Sequence, residues 1–255
     1  MRYPTRIHLC GRMTVRIGGR RIEGTLPGRQ GRLLLAYLVV NRHRPLTRDA
    51  LIAALWEDAL PSDPDSGLSV LLSKLRRALG PDVLASRHEP RLTLPEDAWI
   101  DTEAAVDAVH RAEGALASGD WGQAYAAGRI TVYITERGFM PDYHGRWLDE
   151  RRRELEDVRV RAHECCARTA LHAGRSELPL GERHARAAIE LAPYHEPGYA
   201  LLMEILAARG STPEALRVYE QLRRLLRDEL GISPGREAQA VHQRLLRAGT
   251  APLTT

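Results

Sequence analysis

Apolar and polar residues alternate over residues 5–23. "RIHLC" and "MTVRI" carry apolar side chains at every second place, the period of a strand with one buried face. Gly18-Gly19 is a tight-turn signal before "RRIEG", so a small sheet of two or three strands is predicted. From Gly28 the period lengthens: Leu33, Leu34, Ala36, Tyr37, Leu38 and Val40 form one helical face up to Asn41. "RPLT" interrupts it. Thr47 then suits the N-cap of a second helix carrying Ala50, Leu51, Ala54, Leu55 and Trp56. "EDALPSDPDSG" reads as a loop, and a third helix, "LSVLLSKLRRAL", runs to the stop signal Gly80-Pro81. "DVLASRHEPRLTLPED" reads as two short strands about a turn at His88-Glu89-Pro90.

Strands, three helices and a hairpin, in that order over 1–98, describe a winged helix-turn-helix preceded by its own sheet. Beyond Trp99 the periodicity is helical throughout, with spans 101–118, 121–135, 144–173, 180–191, 196–209, 213–229 and 235–248 between Gly and Pro breakers. "GDWGQAYAAGR" and "GSTPEALRVYE" share a Gly turn followed by alanine, and Ala215 and Tyr219 sit four apart, as in a tetratricopeptide second helix. The fold class is therefore mainly α: a winged helix over 1–98, an all-α, TPR-like helical repeat domain over 99–248, and a tail, 249–255.

Composition sharpens this picture. Aromatics make up 5% of the chain, with a single Phe, so the cores must be built from Leu, Val, Ile and Ala, which suits helices. Of 37 basic and 33 acidic residues, 16 basic and 10 acidic lie in 1–99. A basic front half points to polyanion binding there, or else to a solvated basic surface. Lys74 is the only lysine; the preference for Arg fits either a GC-rich genome or phosphate recognition by a planar fork. The three cysteines, two of them adjacent, give no disulfide framework. No signal-peptide core or 18-residue apolar run is visible, so the expectation is a reduced, cytoplasmic chain with no membrane association.

On the third helix Leu68, Leu72, Leu75 and Leu79 form a core stripe. Ser66, Ser69, Val70, Ser73, Arg76 and Arg77 fall opposite, and Lys74 flanks the stripe. Small side chains allow close approach to base edges, serines bond bases or phosphates, and Arg reads guanine or clamps phosphate. The alternative is an ordinary amphipathic helix with a solvated face. Thr47 and Arg48 stand where free amides of the second helix favour a phosphate, although Thr47 also serves as a plain cap. Arg87 and Arg91 in the hairpin suit a minor groove or backbone contact, or a solvated turn.

No enzyme motif is present: neither a Walker loop, nor His-Glu-x-x-His, nor Gly-x-Ser-x-Gly. The sequence calls for no cofactor. Cys165 and Cys166, adjacent on a helix, point about 100° apart and cannot share one ion, so no metal site is expected; one should sit in the core and the other be partly buried. "DERRRELEDVRVRAHE" reads as a salt-bridged exposed helix with Leu155, Val158 and Ala162 on its buried side.

Four segments, "GRQGRLLLAYLVVNRHRPLTRDALIAALW", "LSKLRRALG", "WIDTEAA" and "AARGSTPEALRVYEQLRRLLRDELGISPGREAQAVHQRLL", resemble the Streptomyces antibiotic regulatory protein (SARP) family of activators in the same order. The resemblance implies an OmpR-type winged helix on the direct repeats of double-stranded promoter DNA. It also implies a helical domain supporting a homodimer on DNA, recruitment of RNA polymerase holoenzyme, and control of a secondary-metabolite gene cluster. In such proteins the loop between the second and third helices faces polymerase, which here points to Glu57, Asp58, Ser62, Asp63 and Asp65. The reading helix departs from the family pattern at Asp65, Ser66 and Gly67, where an acid beside phosphates is repulsive and Gly weakens the first turn. The second function class is a partner-binding scaffold that has lost specific DNA binding.

Overall fold

The computed structural model describes residues 4–57, 59–80, 83–85 and 90–249. Contacts between Cα atoms divide the chain into two compact units: residues 1–104 with 137–154, and residues 105–136 with 155–255.

The first unit opens on β1 (Arg6–His8), β2 (Thr14–Ile17) and β3 (Arg20–Arg21), antiparallel neighbours as the alternation predicts. A strand absent from the sequence reading completes the sheet: β6 (Trp99–Ile100) lies parallel to β1, giving the order β3-β2-β1-β6. It is two residues long and runs straight into a helix, so periodicity cannot single it out. The helices are α1 (Gly28–Val40), α2 (Arg48–Leu55) and α3 (Pro64–Leu79). The hairpin β4 (Leu84–Ala85) and β5 (Arg91–Leu92) forms the second sheet. The α3 helix starts a turn earlier than expected. Pro64 occupies its first turn, where a missing N–H costs nothing, and the Asp63 carboxylate accepts from Ser66 N at 3.0 Å.

The same unit takes up residues 137–154, which lie inside the span read from sequence as helical domain. There Met140 N donates to the Leu9 carbonyl at 2.9 Å, and Trp147 Nε1 donates to the Ala54 carbonyl at 3.1 Å. The Trp147 ring meets Tyr37 edge-on, centroids 5.0 Å apart. Arg152 donates to the backbone carbonyls of Phe139 and Met140, closing the loop before the helix. Asp101, fully buried, accepts from the backbone N–H groups of Leu9, Cys10 and Thr102 at 2.8–2.9 Å. Burial pushes its carboxyl up from the ordinary value against those three donors.

The second unit is built from α4 (Asp101–Ser118, from residue 105), α5 (Trp121–Thr135), α6 (Arg146–Ala173, from residue 155), α7 (Leu178–Leu191), α8 (Glu196–Ala208), α9 (Thr212–Leu230) and α10 (Arg236–Gly249). These match the helices predicted from periodicity to within two residues. Tyr199, Met203, Ile205, Leu222 and Leu226 lie in the main core, together with Ala215 and Tyr219 of the repeat motif. Cys165 and Cys166 are both buried, not one of them as expected. The reason is Gly128 on α5: a Cβ there would stand 2.8 Å from Cys166 Sγ and 3.3 Å from the Ala162 carbonyl, so its absence lets α5 close over the second thiol. Leu155, Val158 and Ala162 are buried on α6; in the part of α6 that belongs to the first unit, the half-buried Arg151 and Arg152 pair with the exposed Glu154 (2.7 Å) and Asp149 (2.6 Å), as the charge pattern predicts.

Candidate nucleic-acid interface

The third helix divides by its own periodicity. Leu68, Leu72, Leu75 and Leu79 are all buried. Removing such side chains from water, at about 2 kcal/mol each, fixes which face points out. On the outward side Ser66, Ser69, Ser73, Lys74 and Arg77 are exposed, and Val70 is 52% exposed. An isolated valine held in solvent between serines offers an apolar contact of the kind a thymine methyl accepts.

Arg76 differs from its neighbour. It is half-buried, and its Nε donates to the Leu84 carbonyl of β4 at 3.2 Å, tying the end of α3 to the hairpin. Arg77, one position on, projects into solvent. Arg91 is exposed on β5, whose neighbour Leu92 is buried. Arg87 lies outside the described residues.

At the other end of α3, side chains assigned separately in the sequence come together. Arg48 Nε donates to the Asp65 carboxylate at 3.1 Å, while Nη2 donates to the Asp65 carbonyl at 2.9 Å and to Ser69 Oγ at 3.0 Å. Ser69 Oγ in turn donates to the Asp65 carbonyl at 2.8 Å. Asp65 therefore faces solvent with a compensating cation beside it. Thr47 Oγ1 accepts from Ala50 N at 3.2 Å and acts as the N-cap of α2. Gly67 packs beside the Trp56 ring at the end of α2, where an added Cβ would stand 3.4 Å from the ring, at ordinary contact distance.

Of the loop residues, Glu57 accepts from Arg146 N at 2.7 Å, caps the start of α6 and lies within ion-pair reach of the Arg146 guanidinium. Ser62 is exposed, and Leu60 stands beside it at 65% exposure. Asp63 caps α3, and hydrogen bonds from Ser66 hold its carboxyl below the usual carboxylate range. Asp58 lies outside the described residues. The sequence reading missed the Arg48 clasp and the Trp147 buttress under α2. The signal for the second was a lone Trp in the charged stretch "RWLDERRR".

No helix among the described residues is long and apolar enough to cross a membrane, and no cluster of three or more His, Cys, Asp or Glu that could hold a metal ion occurs among them.

Comparison with known proteins agrees with this architecture. Residues 25–91 match the family "Transcriptional regulatory protein, C terminal", and residues 100–246 match "Bacterial transcriptional activator domain". The chain is 32% identical to the regulatory protein AfsR of Streptomyces griseus over 219 residues, covering 86% of this chain and 22% of AfsR. It is 29% identical to the transcriptional regulatory protein EmbR of Mycobacterium tuberculosis over 255 residues, covering 94% of this chain and 62% of EmbR. A solved structure of Mycobacterium tuberculosis EmbR in complex with a low-affinity phosphopeptide superimposes with a TM-score of 0.84 at 26% identity, over 99% of this chain and 66% of that one. The chain thus spans about a fifth of AfsR and under two thirds of EmbR.

Proposed function

Because the chain belongs to the bacterial transcriptional activator domain family, as a SARP-type transcriptional regulator with a winged helix in front, we propose that it activates transcription by binding direct repeats in double-stranded promoter DNA. The observation that carries this reading is the outward face of α3. Three serines, Val70, Lys74 and Arg77 are exposed together opposite a fully buried leucine stripe. That surface is small, polar and basic, as entry into a major groove requires.

In this reading Ser66, Ser69, Val70 and Ser73 approach base edges, while Lys74 and Arg77 take base or phosphate contacts. Arg91 of the hairpin reaches the adjoining backbone. Arg76 and Arg48 act mainly as positioning residues, one through the wing and one through Asp65. Two copies bind side by side on tandem repeats. The α2–α3 loop, with Ser62 and Asp63 around the exposed Leu60, recruits RNA polymerase holoenzyme. The targets are genes of a secondary-metabolite cluster, and the protein works in the cytoplasm on the nucleoid.

The test is a gel shift of the full chain against DNA from upstream of its own gene and its neighbours. Specific retardation that survives excess random DNA supports the reading. Retardation by any sequence alike, or none, leaves the partner-binding scaffold in its place.

A further inference from the structure

Between α5, α6 and α7 of the helical unit lies a cavity of about 290 Å³, lined in part by Arg129, Glu136, His163, Arg183 and His184. The two histidines are 9% and 8% exposed and meet Nδ1 to Nδ1 at 2.9 Å, one ring donating and the other accepting. That contact leaves His184 Nε2 buried without a hydrogen-bond partner. One turn before His163, Arg159 Nε is buried and unpartnered as well. Native proteins leave few such groups, and each calls for an explanation.

The charge around the cavity is lopsided. Arg129 and Arg183 are exposed, and neither forms an ion pair among the described residues; Arg129 donates to Tyr125 Oη at 3.3 Å instead. Glu136 supplies the single carboxylate among the lining side chains. Two guanidiniums and two imidazoles thus line a space with one acid to answer them.

We propose that this cavity binds the oxyanion of a small molecule, a phosphate ester or a carboxylate, held by Arg129 and Arg183 with the His163–His184 pair beside it. Guanidinium forks match the paired oxygens of either group. Val132 and Leu180 line the same space and give an apolar remainder something to rest on. The volume sits at the low end of small-molecule pockets, which limits the ligand to metabolite size.

The groups facing the pair are Arg129 and Tyr133 from α5, Glu136 at its C-cap, Arg159 from α6 and Arg183 from α7. Burial and the arginines keep both rings neutral near pH 7. An anion reverses that field and favours the imidazolium, so binding takes up a proton and tightens as pH falls.

The full chain is titrated with inorganic phosphate, and separately with acetate, while His ring resonances are followed by NMR and heats by calorimetry in two buffers of different ionisation enthalpy. The expected result is saturable binding that shifts the His163 and His184 rings with net proton uptake, weakened about tenfold or more in the Arg129→Gln/Arg183→Gln variant. Both substituted residues are exposed, and an unchanged melting curve confirms the fold. Saturation by acetate and not phosphate supports the site and assigns it to carboxylates. No saturable shift with either anion, or equal shifts in the double variant, overturns the proposal; the latter is an adventitious ion only. Because the readout is anion binding, failure here leaves the DNA-binding reading untouched.

Discussion

The Arg48 guanidinium clasps Asp65 across 17 residues of sequence, bonding its carboxylate at 3.1 Å and its backbone carbonyl at 2.9 Å. It fixes the first turn of α2 against the first turn of α3. The acid in the first turn of α3 therefore has its charge compensated within the protein. Asp65→Asn removes a negative charge and loosens the guanidinium, so non-specific DNA binding should tighten at low salt, and the gain should shrink in the Arg48→Ala background. As a pair with Asp65 70% exposed, it contributes to stability only about 0.2–1 kcal/mol. Chemical melts and salt titrations of the two single variants and the double give the coupling; additive effects in both would mean the clasp is idle in solution.

Arg76 and Arg77 should separate. Arg77→Ala is expected to lower the slope of log affinity against log salt by about one if it holds a phosphate, or to cost about 1–3 kcal/mol on the cognate site if it reads a base. Arg76→Ala should also loosen the hairpin, because its Nε supports the Leu84 carbonyl. Fluorescence anisotropy with cognate and random duplexes measures the first effect, and amide exchange at residues 83–85 the second. Wild-type binding in Arg77→Ala would take the C-terminal end of α3 out of the interface.

Acid should destabilise the helical unit in a defined window. Burial, then the neighbouring positive groups, lower His163 and His184 from 6.5 to about 4 in the folded chain. Between those values the unfolded chain binds more protons, so this contribution is complete above about pH 6.5 and is lost as pH falls towards 4. Urea midpoints of the wild type and of His163→Gln/His184→Gln, taken from pH 7.5 to 4.5, should converge on acidification. Parallel curves would show that the pair does not titrate in this range.

Gly128→Ala tests the close approach that buries Cys166. Helix propensity favours alanine by about 0.5–1 kcal/mol. Against that stands a Cβ placed 2.8 Å from Cys166 Sγ and 3.3 Å from a backbone carbonyl, and overpacking of this kind costs about 1–3 kcal/mol. A net loss is expected in thermal melts, recovered in part by Cys166→Ala. A melting temperature at or above wild type in Gly128→Ala would mean that α5 and α6 move apart freely.

Most of the helical unit was legible in the sequence because long amphipathic helices bounded by Gly and Pro announce both their period and their ends. The leucine stripe of α3 was legible for the same reason. The strand Trp99–Ile100 was not, being too short to carry a period. Asp101 follows it, and nothing local distinguishes that residue from an ordinary first-turn acid, yet its carboxylate satisfies two backbone donors 91 and 92 residues away. The Arg48 clasp escaped for a related reason. Sequence assigns charges one at a time, and only the geometry of two helices shows which charges are spent on each other.

Trp147 and Glu57 place the winged-helix unit on a schedule. A ribosome finishes α3 and the hairpin by residue 92, but the segment of the same unit that buttresses α2 runs on to residue 154. At ordinary elongation rates that interval is about 3–12 s. Through it the Ala54 carbonyl and the Glu57 carboxylate wait for Trp147 and Arg146. A chain that stops in that interval holds α3 and the hairpin but lacks the Trp147 that braces α2 and the Arg146 that engages Glu57.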